Sequence, residues 1–185
     1  MSVPSIVLIS FGGFEKPLLD AMAQSASKEF LYPVIIRELH YDLNEYFDPA
    51  RRQYNGNKLL QMVEQLSGPP AVKTVGLFSV DLFIPILTYI FGQAYLNGGH
   101  GIVSRYRLSN ERYGLRYDEV VLRERLVKEV NHELGHCFGL IHCADVACVM
   151  RSSTVVEAID HNGERLCPVC RGRINRCKPG ERGCR

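Results

Sequence analysis

The chain has 185 residues, 46% hydrophobic and 23% charged, a balance that excludes disordered and collagen-like chains and fits one globular domain, with or without a small appendage. No apolar run reaches the roughly 18 to 20 residues that span a bilayer, since Asp81, Pro85 and Gly92 interrupt the longest candidates. Met1 to Ser10 lacks the basic flank of a secretion signal, so a cytoplasmic location is expected. Lys and Arg number 22 against 20 Asp and Glu, but the excess lies at the end, where seven basic residues from Arg165 to Arg185 face Glu181 alone. A basic tail can contact nucleic acid; here it is read as a solvated end.

Val3 to Ser10 is β-branched and apolar and stops at Phe11-Gly12-Gly13, which predicts a buried first strand and a turn. A helix is expected over Lys16 to Phe30, a strand over Val34 to Leu39, and a second helix over Asn57 to Ser67, where Leu59, Leu60, Val63 and Leu66 recur at helical spacing before Gly68-Pro69-Pro70. Val72 to Ser79 reads as a third strand. Strands separated by helical stretches imply right-handed crossovers and a mainly parallel sheet covered on both faces. Tyr89 to Leu96 and Ile102 to Leu108 flank the turn signal Asn97-Gly98-Gly99, which predicts a hairpin and one antiparallel edge strand.

Asp118 to Phe138 predicts a long amphipathic helix. Glu119 with Arg123 and Glu124 with Lys128 are spaced to pair along it, and Val130, Leu134 and Phe138 fall one turn apart. His132 and His136 lie off that apolar stripe and therefore face a cleft. Four residues separate the two imidazoles, about 6 Å along the axis and 40° in azimuth, so both can address one metal ion. Glu133 stands between them but off their line, placed to act as general base rather than ligand. On a continuous helix His142 would be about 15 Å from His132. Gly139 permits the positive φ of a helix C-cap, which lets the chain reverse and return His142 to the same ion.

All seven cysteines lie from Cys137 onward, which removes a disulfide framework and suggests metal in a reducing compartment. Cys143-x4-Cys148 and Cys167-x2-Cys170 have the spacing of a four-thiolate zinc site. Cys177 and Cys184 could replace one of these thiolates or pair with each other, and are read as a loose tail. Cys137 reads as a small buried hydrophobe. His100 reads as a solvated turn residue, His40 and His161 carry no role, and Tyr95, Tyr106 and Tyr113 are oxyanion donors only if packing does not claim them.

The run from His132 to His142 resembles the metzincin metalloproteases, whose motif is H-E-x-x-H-x-x-G-x-x-H followed by a methionine turn. Cys143, Cys148-Val149-Met150 and Cys167-Pro168-Val169-Cys170 narrow the resemblance to the archaemetzincin family. It implies a zincin-like α+β fold with an α/β/α arrangement, a mixed and mainly parallel sheet, an antiparallel edge strand along which substrate lies, and a long active-site helix. It implies two zinc ions per chain: a catalytic one on His132, His136 and His142, with base Glu133 and Met150 beneath it, and a structural one on Cys143, Cys148, Cys167 and Cys170. The catalytic domain would span 1–150 and a cysteine-rich segment 151–185, the two forming one compact unit. The implied partner is a peptide or protein substrate; restricted or aminopeptidase-like specificity is expected on a separate ground, that no segment ahead of the first strand reads as an inhibitory pro-domain. The alternative is a non-catalytic zinc module whose basic tail binds nucleic acid or protein; Glu133 separates the two, because a structural three-histidine site gains nothing from a carboxylate beside it.

Overall fold

The computed structural model describes residues 3–176, so Cys177 and Cys184 lie outside the described residues. Strand β1 (Ser5–Ser10) is buried at every position, and helix α1 (Lys16–Phe30) follows, started by Pro17 in its first turn and ended by Leu31 in a left-handed conformation. Strand β2 (Val34–Glu38) returns parallel to β1. Two short strands, β3 (Phe47–Asp48) and β4 (Gln53–Asn55), lead into α2 (Gly56–Leu66), whose N-cap Asn55 accepts a hydrogen bond from the Lys58 amide. Strands β5 (Ala71–Phe78), β6 (Leu82–Ile84), β7 (Leu87–Ile90), β8 (Gly92–Ala94) and β9 (His100–Ser104) follow. Helix α3 (Glu119–Cys137) is capped by Asp118, whose carboxylate accepts from the amides of Val120 and Val121. Helices α4 (Val156–His161) and α5 (Pro168–Arg176) complete the chain.

The main sheet has the order β2-β1-β5-β9-β8, parallel except for β8, which pairs antiparallel with β9 and forms one edge. This is the mixed sheet with one antiparallel edge strand that the sequence predicts. The hairpin is shorter than expected: Tyr89 and Ile90 belong to β7, which pairs with β6 in a second sheet of order β3-β4-β6-β7. Strands of two to four residues carry too little alternation to be read from sequence, and Pro49 and Pro85 obscure it further. His100, expected in a turn, opens β9 opposite Thr74 and is half-buried near Glu64.

Helices cover both faces, as parallel strands require. On one face α1 and α3 pack Leu18, Met22, Leu126, Val130 and Leu134 against Ile6, Leu8, Val75 and Val103. The same cluster takes in Val156, Ile159, Leu166 and Ile174, so it continues past Arg151 into α4 and α5. On the other face α2 buries Leu59, Leu60 and Val63 against Phe78, Leu82 and Ile102. No helix among the described residues is long and apolar enough to cross a membrane.

One buried cation joins α3 to its surroundings. The Arg125 guanidinium donates to both oxygens of Asp160 at 2.6 and 2.7 Å, and to Leu108 O and Asn110 Oδ1 at 2.8 Å each. Asp160 is on α4, so this contact sets the position of α4 against α3. Arg125→Met strands four acceptor atoms and is expected to cost about 3 kcal/mol, a fall in Tm of roughly 6–12 °C by thermal denaturation. A Tm within about 2 °C of wild type would contradict this role.

Candidate metal centre and cleft

Helix α3 carries its apolar stripe into the core, with Val130 and Leu134 fully buried, and turns His132 and His136 toward a cleft of ≈ 460 Å³. The helix ends at Phe138, and Gly139 adopts φ 86°, where a side chain would be strained. The reversal brings His142 back: one ring nitrogen from each of His132, His136 and His142 lies within 4.8 Å of the others. Backbone carbonyls set the tautomers. His132 Nδ1 donates to Val149 O at 2.8 Å and His136 Nδ1 to Leu140 O at 2.7 Å, because a carbonyl can only accept. Both Nε2 atoms therefore carry lone pairs, and they face each other 3.0 Å apart. Two lone pairs at that distance fit a cation between them, since a tetrahedron with ~2.0–2.1 Å arms has edges of about 3.3 Å. Burial pushes His132 down to about 4, with partial compensation from its Val149 bond, and burial also lowers His136. Both rings are thus neutral near pH 7, the form that binds metal.

Glu133 points into the same cleft and is almost fully buried. Its Oε2 has no hydrogen-bond partner. Burial raises its pKa well above the carboxylate range, and the negative charge of Glu129, one turn earlier and within side-chain hydrogen-bonding reach, raises it further. Burial raises Glu129 to about 7. Two carboxyl groups in contact and out of water oppose each other's ionisation. Glu129 is not singled out by the sequence motif; its position four residues before Glu133, on one helical face, is the signal that could have found it.

Met150 is fully buried against the helix, where a Cβ on Gly135 would collide with its sulfur. Glycine at 135 is therefore what admits Met150 between the turns bearing His132 and His136. A second cluster lies behind the first. The thiols of Cys143, Cys148, Cys167 and Cys170 all fall within 4.8 Å of one another. The 3.9 Å between Cys143 Sγ and Cys167 Sγ matches the edge of about 3.8 Å expected for a tetrahedron with ~2.3 Å sulfur arms. The Cys167 amide donates to Cys148 Sγ at 3.4 Å, and Cys143 N to Met150 O at 2.9 Å. All five described cysteines are free thiols; Cys137 is fully buried, and burial pushes its thiol up to about 12.

The tyrosines named from sequence do not reach the cleft. Tyr95 packs against the α2 cluster, Tyr106 lies under the Arg112 guanidinium, and the Tyr113 hydroxyl donates to Arg107 O at 2.8 Å. Tyr89 lines the cleft instead, and its hydroxyl donates to Thr154 O at 2.9 Å.

The model of peptidase family M54 matches residues 22–176. The chain belongs to that family. The archaemetzincin of Thermococcus kodakarensis is 39% identical over 131 residues, covering 70% of each chain. Among solved structures, a zinc-dependent peptidase from Methanocorpusculum labreanum superposes with a TM-score of 0.84 at 29% identity, covering 92% of this chain and 100% of its own. The archaemetzincin of Methanopyrus kandleri gives 0.82 at 32% identity, covering 93% of each chain. As an archaemetzincin, the protein is a metallopeptidase with a mixed α/β, zincin-like fold.

Gly92, on the edge strand of this archaemetzincin, leaves the room that Glu133 occupies: a Cβ there would meet Glu133 Oε1 at 2.7 Å and Cγ at 2.8 Å. Gly92→Ala is expected to shift the carboxyl group while sparing the three histidines. Peptide hydrolysis should fall about tenfold or more with metal content unchanged, measured on the same preparation. Wild-type turnover, or loss of metal, would contradict this account.

Proposed function

We propose that this archaemetzincin, a zinc metallopeptidase, hydrolyses peptide bonds in the α3 cleft, with its catalytic metal on His132, His136 and His142 and Glu133 as general base. The observation that carries the reading is the convergence of three imidazole nitrogens beside a buried carboxylate oxygen that has no partner. Zinc held by His132, His136 and His142 would supply a Lewis acid for a peptide carbonyl and would lower the pKa of water. Glu133 accepts the proton of the attacking water and returns it to the departing amine nitrogen, both transfers using Oε2. Glu129 restrains the other side of the Glu133 carboxyl group. The free edge of β8 offers backbone donors and acceptors along which an extended substrate is oriented.

The second zinc belongs to Cys143, Cys148, Cys167 and Cys170, a closed four-thiolate set suited to structure. It ties the segment from 151 onward to the catalytic part at 1–150. Met150 supplies the apolar floor beneath the histidines, as in the metzincins. Free thiols throughout the described chain support a reducing, cytoplasmic location. The cleft admits only short peptides or chain ends, giving restricted specificity of the kind an aminopeptidase shows; the Tyr89 to Thr154 bridge supports this by joining its two lips.

Glu133→Ala is expected to retain its metal and lose hydrolysis of a peptide library by about a hundredfold or more. Near-normal hydrolysis would remove Glu133 from this role. Cys148→Ser is expected to lower both thermal stability and turnover, because Cys143 is held beside His142; full activity with unchanged melting would refute the coupling.

A further inference from the structure

The end of the cleft beyond Glu129 has a chemistry that peptide-bond cleavage alone does not require. Lys128 lies one turn before His132, about 6 Å along α3, and lines the cleft. Its ammonium donates to Ile159 O at 3.0 Å and Asp160 O at 2.9 Å, the carbonyls at the end of α4. Two of its three N–H groups are spent in that way and one remains. Neither Lys128 nor Arg151, the other cation lining the cleft, takes part in an ion pair among the described residues.

The nearby carboxylates are committed elsewhere. Both oxygens of Asp160 accept from Arg125, and the Glu129 side chain is buried beside Glu133. The ammonium is thus anchored on two carbonyls and makes no ion pair among the described residues. The Tyr89 hydroxyl on β7 bonds to Thr154 O on the opposite lip, and Asn162 holds that lip by donating to Arg151 O at 3.1 Å and Ser153 Oγ at 2.8 Å. A cleft lined by a carbonyl-anchored cation suits an anionic group at or near the end of a chain.

We propose that Lys128, aided by Arg151, makes this end of the cleft a carboxylate subsite, so that favoured substrates place a carboxylate there, either the α-carboxylate of a short peptide or an Asp or Glu side chain. The inference rests on the peptidase reading for its setting but not for its test. The zinc-loaded full chain is assayed against peptide pairs with free amino termini: C-terminal acid against amide, and Asp or Glu against Asn or Gln at each position. Binding of N-acetyl-glycyl-leucine and of its amide is measured by calorimetry on the same protein and on chelator-treated protein.

A carboxylate preference of about tenfold or more in kcat/KM or Kd is expected, and the acid-to-amide and side-chain arms identify which carboxylate is read. In Lys128→Met the preference should collapse toward one, in Arg151→Gln it should weaken, and in Lys128→Arg it should persist. Lys128→Arg, which keeps both charge and anchor, separates loss of the cation from a fold defect in Lys128→Met. Hydrolysis without carboxylate preference would overturn the subsite and leave the peptidase reading intact. Carboxylate binding that depends on Lys128, with no hydrolysis of any peptide, would sustain the subsite and overturn that reading. Neither binding nor cleavage of the acids over the amides would overturn the subsite.

Discussion

Neighbouring side chains on an extended segment point to opposite sides, and the site depends on that constraint at His142 and Cys143. One residue sends an imidazole into the cleft, and the next sends a thiol into the cysteine cluster behind it. The segment can do this only because Gly139 reverses the chain at φ 86°, and because the Cys143 amide is held by Met150 O. Two clusters of candidate metal ligands of different chemistry are therefore built on one short strut. Any displacement of one set must move the other, which makes the cysteine cluster part of the positioning of His142.

Helix α3 supplies the rest of the cleft at an energetic cost. It buries Glu129, Glu133 and Arg125 and half-buries His132, groups that ordinarily prefer water. Only Arg125 is fully compensated, by four hydrogen bonds. Glu133 retains an oxygen without a partner, and the histidine nitrogens that face the cleft meet only each other. Polar groups left short of partners in an otherwise well-packed core mark the place where stability yields to chemistry. The apolar packing of Val130 and Leu134 on one face of α3 offsets that cost and fixes the helix against the sheet.

The long elements were legible because their periodicity is strong. Lys16 to Phe30 and Asp118 to Phe138 match α1 and α3 to within a residue, and the Asn97 turn between β8 and β9 lies where the sequence puts it. The β3-β4-β6-β7 sheet was not legible, because its strands are two to four residues long. At the site, the histidines, Glu133, Gly139 and the four clustered thiols could be read because their spacing has geometric meaning on a helix or a reversal. Tyr89 and Lys128 could not. Tyr89 reaches Thr154 across 65 positions of sequence, and Lys128 looks like the partner of Glu124 on a solvated helix face until its bonds to the α4 carbonyls are seen. Contacts of that kind are set by tertiary packing, which leaves no local pattern.

Whether one strut serves two separate metal sites is decided by tightly bound zinc per chain, measured by elemental mass spectrometry on protein purified without added metal or chelator, for wild type, His136→Asn and Cys170→Ser. The account requires two zinc ions in wild type, one in His136→Asn, and in Cys170→Ser the loss of the thiolate-bound ion together with weakened retention of the other. A single zinc in wild type that survives His136→Asn, or a Cys170→Ser protein that holds its histidine-bound zinc as tightly as wild type, would contradict it.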